Sequence, residues 1–511
     1  MAQIRWTHKG NGNWTNAADW STGTVPGASD DVFIGLNGVT VTSDHAVTVN
    51  SIGTNSGATL DISGGSWFTA TNGTGSSENL GTIKVVGDST LEIGAGTFAN
   101  YGTVLLGQNG YYNTIVIDHV VELQGGGAIE MARNSTGTNS IEGEVSTPNQ
   151  LIQLDNVDDN IAGSGLITGL YFDNQANGIV ETNTNLGAGT LELLQANIAG
   201  QGFQNEGHIF ADDGGTLELN APSGGPGFFN SGTLYMESHG DATKLEIGGD
   251  VVLKGGGSVT LSDSVDNYIE SNGQAATFEN VDNFISGSGQ VYDANLTIMN
   301  DSQGTIAAVN ADMPLLIYTG SNAIVNLGLL EAVNGATLNL YGDVANGGTL
   351  QANGGNVDIG GVLNGYGKTE IFSGSQLELL GSWNQAPLVF ENNTTDSGVL
   401  QLAHSLVSGG TSAFTGTVAG LYNDGTHSDT LGLQDINYAS GVSWSFTENP
   451  NGNRGALNVT DGNGDHARIA LLGQYIAAGT SVNSATSTLF QVAADTITHS
   501  AGTLVTTSFH G

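Results

Sequence analysis

The chain has 511 residues, with 79 Gly, 7 Pro and no Cys, and its 9 Lys+Arg against 49 Asp+Glu give a formal net charge of −40. That balance opposes binding to phosphate backbones and anionic membranes, which excludes nucleic acid as a partner on electrostatic grounds. Without Cys there are no disulfides or thiolate metal sites, and 38% hydrophobic residues are enough for a core, so the glycine richness reads as turn-rich β structure and not as disorder.

The first residues, Met1-Ala2-Gln3-Ile4-Arg5-Trp6, hold no apolar run of the ~7 residues that a classical signal peptide needs. No stretch of the chain approaches the roughly 20 apolar residues of a membrane span. Trp6, Trp14 and Trp20 then cluster ahead of Val25-Pro26-Gly27 and Asp30-Asp31-Val32. Large aromatics at this place are expected to form an N-terminal cap over residues 1–35; a sugar-binding platform is the alternative.

From about residue 36 a strand core recurs: Leu60-Asp61-Ile62, Leu91-Glu92-Ile93, Leu191-Glu192-Leu193, Leu217-Glu218-Leu219, Leu245-Glu246-Ile247, Leu338-Asn339-Leu340 and Leu377-Glu378-Leu379. The alternation has period two, with apolar residues inward and the middle residue outward. A second element places an apolar residue before Asn and a nearby Gly, around Asn100, Asn205, Asn230, Asn326 and Asn346, and these Asn and Gly are expected to supply turns. Neighbouring Asn positions lie 25 (205 to 230) and 20 (326 to 346) residues apart, the length of one solenoid coil. A longer repeat overlies the coils: Gly125-Gly126-Gly127 returns 130 residues later at Gly255-Gly256-Gly257, and Asn156-Val157-Asp158 returns 124 later at Asn280-Val281-Asp282. The chain is therefore expected to be all-β, a right-handed parallel β-helix (β-solenoid) over residues 36–410, followed by a small β module over residues 411–511. Helical periodicity is best over Ala467 to Ala478, a short stretch within that module.

Two segments resemble known proteins. The Trp-rich opening, with its Val-Pro step before an Asp, is similar to the first segment of secreted Gram-negative β-helix proteins, autotransporter passengers among them. The last hundred residues, including Phe414-Thr415-Gly416-Thr417, Asp429-Thr430-Leu431-Gly432-Leu433 and Gly502-Thr503-Leu504-Val505, resemble the terminal module of large alphaproteobacterial surface proteins of the hemolysin-type or autotransporter-like kind. That resemblance implies type I secretion on an uncleaved C-terminal signal and an extracellular or cell-surface location. The tandem Gly-Gly-x-Gly-x-Asp calcium array of such proteins is absent from the sequence.

Chemistry is sparse. The basic residues of the coils, Lys84, Arg133, Lys244, Lys254 and Lys368, are too dispersed for a lyase site, and the ten His form no metal or triad signature. Asp155, Asp158 and Asp159 are the densest acids of the coils; because Asn156-Val157-Asp158 recurs, a turn bonding its own backbone is favoured there over a catalytic pair. Metal ligands are expected among the outward acids. Glu192, Glu218 and Glu246 follow at 26 and 28 residues and fall on successive coils of one face, where stacked carboxylates either splay into water and are screened by salt or are relieved by calcium or another partner. Asp461 and Asp465, in Asp461-Gly462-Asn463-Gly464-Asp465, are the other candidate calcium contacts, although Leu472 replaces the distal Glu of an EF-hand and a β-turn is the default reading. The expected function is an extracellular structural or self-assembling surface protein, calcium the one expected cofactor and self-association the expected partnership. An adhesin for glycans or cell-surface receptors is the first alternative, and a polysaccharide hydrolase or lyase the second.

Overall fold

The structure is a computed structural model, and it describes residues 3–73, 76–107, 112–134, 137–144, 150–195, 202–385, 387–391, 397–408, 411–412, 414–421, 429–450, 454–472, 481–482 and 488–491. The chain is an all-β, mostly parallel β-solenoid of about 16 turns, with 2% helix. It divides into two compact units, one of Met1–Ser262 with Asp266–Phe278, the other of Asp263–Val265 with Glu279–Gly511.

A coil of the first unit shows the design. Strands Gly202–Asn205, His208–Ala211 and Thr216–Ala221 run in sequence, each followed by a sharp change of direction. Each pairs in parallel and in register with its counterpart on the next coil: Phe203 with Phe228, Ile209 with Leu234, Leu217 with Leu245. In-register repetition puts like on like. Leu191, Leu217, Leu245 and Ile269 form one interior column, each 0–1% exposed. In the second unit Leu315, Leu338, Val357, Leu377, Leu400 and Leu431 do the same. Burying one such side chain stabilises the fold by about 1.5–3 kcal/mol, so repetition supplies what disulfides do not.

The recurring Asn residues do not supply turns through a positive φ. Among the described residues the non-glycine positive φ angles belong to Asn72, Asp88 and Asn334 alone. The Asn of the apolar-Asn element instead end strands and point inward, where they join head to tail. In the first unit Asn156 Nδ2 donates to Asn174 Oδ1 at 2.9 Å, Asn174 to Asn205 at 2.8 Å and Asn205 to Asn230 at 2.7 Å. In the second, Asn280, Asn300, Asn326 and Asn346 repeat the chain at 2.9, 2.9 and 2.8 Å. All eight are 0–4% exposed. Glycine ends each ladder: Gly255 (φ 119°) and Gly365 (φ 115°) stand against the backbones of Asn230 and Asn346, where a Cβ would come within 2.8 and 2.0 Å of a carbonyl oxygen. The 124-residue repeat is thus a repeat of turn geometry. Asn156 Oδ1 accepts the Asp159 N–H at 3.1 Å, and Asn280 Oδ1 the Asn283 N–H at 3.0 Å.

The Trp-rich segment is itself part of a coil. Ile4–Arg5 pairs in parallel with Asp31–Ile34, and Gly12–Asn13 with Thr40–Ser43. Trp6, Trp14 and Trp20 are 1–2% exposed and pack edge to face, Trp14 also against Phe68 at 5.1 Å between ring centroids. Buried rings offer no open face to a sugar, so the platform reading of these three does not stand. In the second unit the parallel register continues past residue 410, Val399–Leu402 pairing with Thr430–Leu433. Val442–Glu448, Arg454–Asp461 and His466–Leu472 then form an antiparallel meander. Of the stretch Ala467 to Ala478, the best helical pattern by sequence, residues 467–472 are strand, with Ala467, Ile469 and Leu471 facing inward at period two, and residues 473–478 lie outside the described residues. Gly502-Thr503-Leu504-Val505 lies outside the described residues.

Candidate functional site

The clearest built feature of the outer surface is a carboxylate column in the first unit. Thr190–Leu194, Thr216–Ala221, Thr243–Lys254 and Asn267–Ser271 are successive parallel strands, and their register sets Glu192 beside Glu218, Glu218 beside Glu246, and Glu246 beside Glu270. The expected trio is therefore brought together, with a fourth rung. Glu270 escaped the motif search because Ser271 follows it where the other strands have Leu or Ile, although Ile269-Glu270 keeps the phase and lies 24 residues after Glu246.

The column carries its own relief. Asn220 Nδ2 donates to Glu192 Oε1 at 2.9 Å and reaches Glu218 Oε1 at 3.3 Å, and Asn272 Nδ2 donates to Glu218 Oε1 at 2.9 Å. Lys244 Nζ lies 2.6 Å from Glu270 Oε1 and 3.9 Å from Glu246 Oε1. Burial and then the Glu218 charge push the Glu192 carboxyl above its ordinary range, against the Asn220 bond. Burial also raises the Glu246 carboxyl; Lys244 opposes this, and Glu218 and Glu270 add to it. The hydrogen bond to Glu270 leads the causes that raise the Lys244 ammonium. The carboxylates stand one to a strand, in a row from coil to coil. Among the described residues no group of three or more His, Asp or Glu side chains is arranged to hold a metal ion.

Asp461 and Asp465 belong to the second unit, in the hairpin turn between Arg454–Asp461 and His466–Leu472. Asp461 Oδ1 accepts the N–H groups of Asn463 (2.8 Å) and Asp465 (3.0 Å), and Oδ2 that of Asn437 (3.1 Å). Desolvation raises this carboxyl, but the amides of Asn437, Asp465, Asn463 and Gly464 outweigh it and hold it below its ordinary value. One carboxylate oxygen is thus spent on its own turn and the other on the Asn437 amide.

A second acidic group lies on another outer face of the first unit, where Glu122, Asp155 and Asp173 occupy successive rungs. Burial pushes the Asp173 carboxyl up to about 6, and the Asp155 and Glu206 charges add to this; Asp155 is raised by burial and by Glu122, with Gln153 opposing. Tyr171 Oη and Gln204 Oε1 lie 2.7 Å apart, and Gln204 Nε2 donates to Glu206 Oε1 at 2.6 Å. Burial and like charge on the neighbouring rungs both disfavour ionisation of Asp155 and Asp173. Asp173 was missed by sequence reasoning; the signal was the repeated step Leu154-Asp155-Asn156 and Phe172-Asp173-Asn174, both leading into the Asn ladder. Asp158 has a structural task, its Oδ1 accepting the N–H groups of Gly125 (2.7 Å) and Gly126 (3.1 Å).

Aromatic rings also stack between coils on the outside. Phe210 and Tyr235 lie 5.0 Å apart at 12° in the first unit, and Tyr292 and Tyr318 4.8 Å apart at 30° in the second. No protein-family model, no curated protein and no solved structure matches this chain. Among the described residues no helix is long and apolar enough to cross a membrane.

Proposed function

We propose that this chain is an extracellular structural or self-assembling surface protein whose coil faces are its working surface, and that it has no enzymatic role. The observation that carries the reading is the Glu192, Glu218, Glu246 and Glu270 column. Four like charges at strand spacing on a chain of formal charge −40 are relieved from within by one ammonium and two amides. Such a face gains from a divalent cation shared between neighbouring rungs or neighbouring molecules, calcium being the natural choice outside a cell. Electron microscopy of the pure protein with and without calcium tests this: ordered assemblies that need calcium support it, and monodisperse particles under both conditions count against it.

Binding of glycans, as an adhesin, is the second reading, and the outward tyrosines favour it. Tyr292 and Tyr341 are 55% and 46% exposed, enough for a sugar ring to reach them. Glycan-array binding lost on Tyr292→Ala and Tyr341→Ala would move the assignment to this reading.

A further inference from the structure

Two turns of the chain share one geometry and differ in one group. Asn156 binds the backbone N–H and carbonyl of Asp159 at 3.1 and 3.0 Å, and Asn280 binds those of Asn283 at 3.0 and 2.9 Å. Asn283 is 1% exposed and Asp159 is 0% exposed. A buried position filled by an amide in one copy of the turn thus carries an acid in the other.

The surroundings of Asp159 suit an uncharged group. Its Oδ2 accepts a 2.6 Å bond from Asn100 Nδ2, while its Oδ1 is shut off from solvent and has no hydrogen-bond partner. The Gly126 and Gly127 amides lie close enough to favour its charged form, but their hydrogen bonds run to Asp158 Oδ1 and, at 2.8 Å, to the Asn100 carbonyl. Asp158, from the same turn, is the charged group that bears on Asp159, and it is of like charge. Gly127 from the preceding coil, Asn100 from the coil before that and Ile179 from the following coil are uncharged. An ionised carboxylate here leaves one oxygen neither solvated nor bonded, whereas a protonated one leaves only a neutral hydroxyl.

We propose that Asp159 is a proton-operated fastening of the first unit. With its proton it completes the interior polar ladder between Asn100 and Asn156, and when the proton leaves for solvent it loosens the coils on either side. Burial is the largest influence on this carboxyl and lifts it to about 6, with Asn100 and the Gly127 and Gly126 amides opposing and Asp158 adding. Because the folded value lies above the ordinary 3.8, the contribution to stability is full below the unfolded value and is lost as pH rises through about 6.

The test compares the whole chain with its Asp159→Asn variant by thermal melting from about pH 4 to about pH 8, and by hydrogen exchange, corrected for intrinsic rates, over residues 96–131 and 150–180. The variant should melt above the parent at the alkaline end and converge with it at the acid end, and the rise of exchange with pH in those segments should be smaller than in the parent. Other carboxyls raised to about 6, Asp173, Asp212 and Asp358, contribute equally to both proteins and cancel in the difference. An unchanged pH slope, or a variant that melts below the parent at every pH, overturns the proposal. Should Asp159→Asn fail to fold, Asn283→Asp places an acid in the sister turn. New pH-dependent exchange over residues 276–300 supports the proposal, and none overturns it.

Discussion

The first unit stacks identical polar side chains twice, once inside and once outside, with opposite results. Inside, the Asn156, Asn174, Asn205 and Asn230 amides link at 2.7–2.9 Å. Outside, Glu192, Glu218, Glu246 and Glu270 occupy the same kind of in-register column and need Asn220, Asn272 and Lys244 to relieve them. An amide carries donor and acceptor, so each rung satisfies the next, and burial strengthens the chain. A carboxylate is acceptor only, so each rung repels the next, and burial makes matters worse by raising Glu192 and Glu246. In a solenoid, where register copies every choice, a side chain's self-complementarity decides whether it belongs in the wall or on the face.

Breaking the inner ladder should have the largest effect. Asn205→Ala removes the acceptor of Asn174 and the donor to Asn230, both buried. A cost of about 2–3 kcal/mol is expected, because unmatched buried polar groups cost about 1–3 kcal/mol each and Asn174 keeps its bonds to the Gly178 and His208 carbonyls. Chemical denaturation measures it, and a loss below about 0.5 kcal/mol would show that the ladder only fills space.

Removing the cation from the outer column should cost less. Lys244→Met leaves Glu246 and Glu270 facing each other, but the lysine side chain is 35% exposed and solvent screens the pair, so about 1 kcal/mol is expected at low salt and less at high salt. A loss that does not depend on salt would assign the lysine to packing of its stem.

The contrast also separates what was legible in the sequence from what was not. The coils were legible because Leu-Glu-Leu keeps period two, and the 26- and 28-residue spacings placed Glu192, Glu218 and Glu246 on one face, since a whole coil returns a residue to its own column. The Asn positions and a part in turns were legible but not the ladder, because burial of a strand-end amide depends on a partner about 20–30 residues away as well as on local turn chemistry. Asp173 and Glu270 were hidden for a related reason: each becomes part of a cluster only through the coil before it. The burial of Trp14 depends likewise on Phe68, contributed from another coil.

The smallest expected effect is the most specific to the outer column. Glu218 has a carboxylate above it and another below, so Glu218→Gln removes both repulsions while its remaining carbonyl oxygen still accepts from Asn220 and Asn272. The gain should be a few tenths of a kcal/mol at neutral pH, the size of like-charge cross-strand pairs. Mild acidification should mimic it: Glu192 and Glu246 have folded values above their unfolded ones, so their contribution is full at low pH and lost as pH rises through those folded values. Calcium should raise the melting temperature of the parent more than sodium does at equal ionic strength, and Glu218→Gln should shrink that difference, because a bridging cation loses its central ligand. If the two salts act alike and the substitution changes neither, the column is relieved by Lys244, the two amides and ordinary screening, and the case for calcium on this face falls.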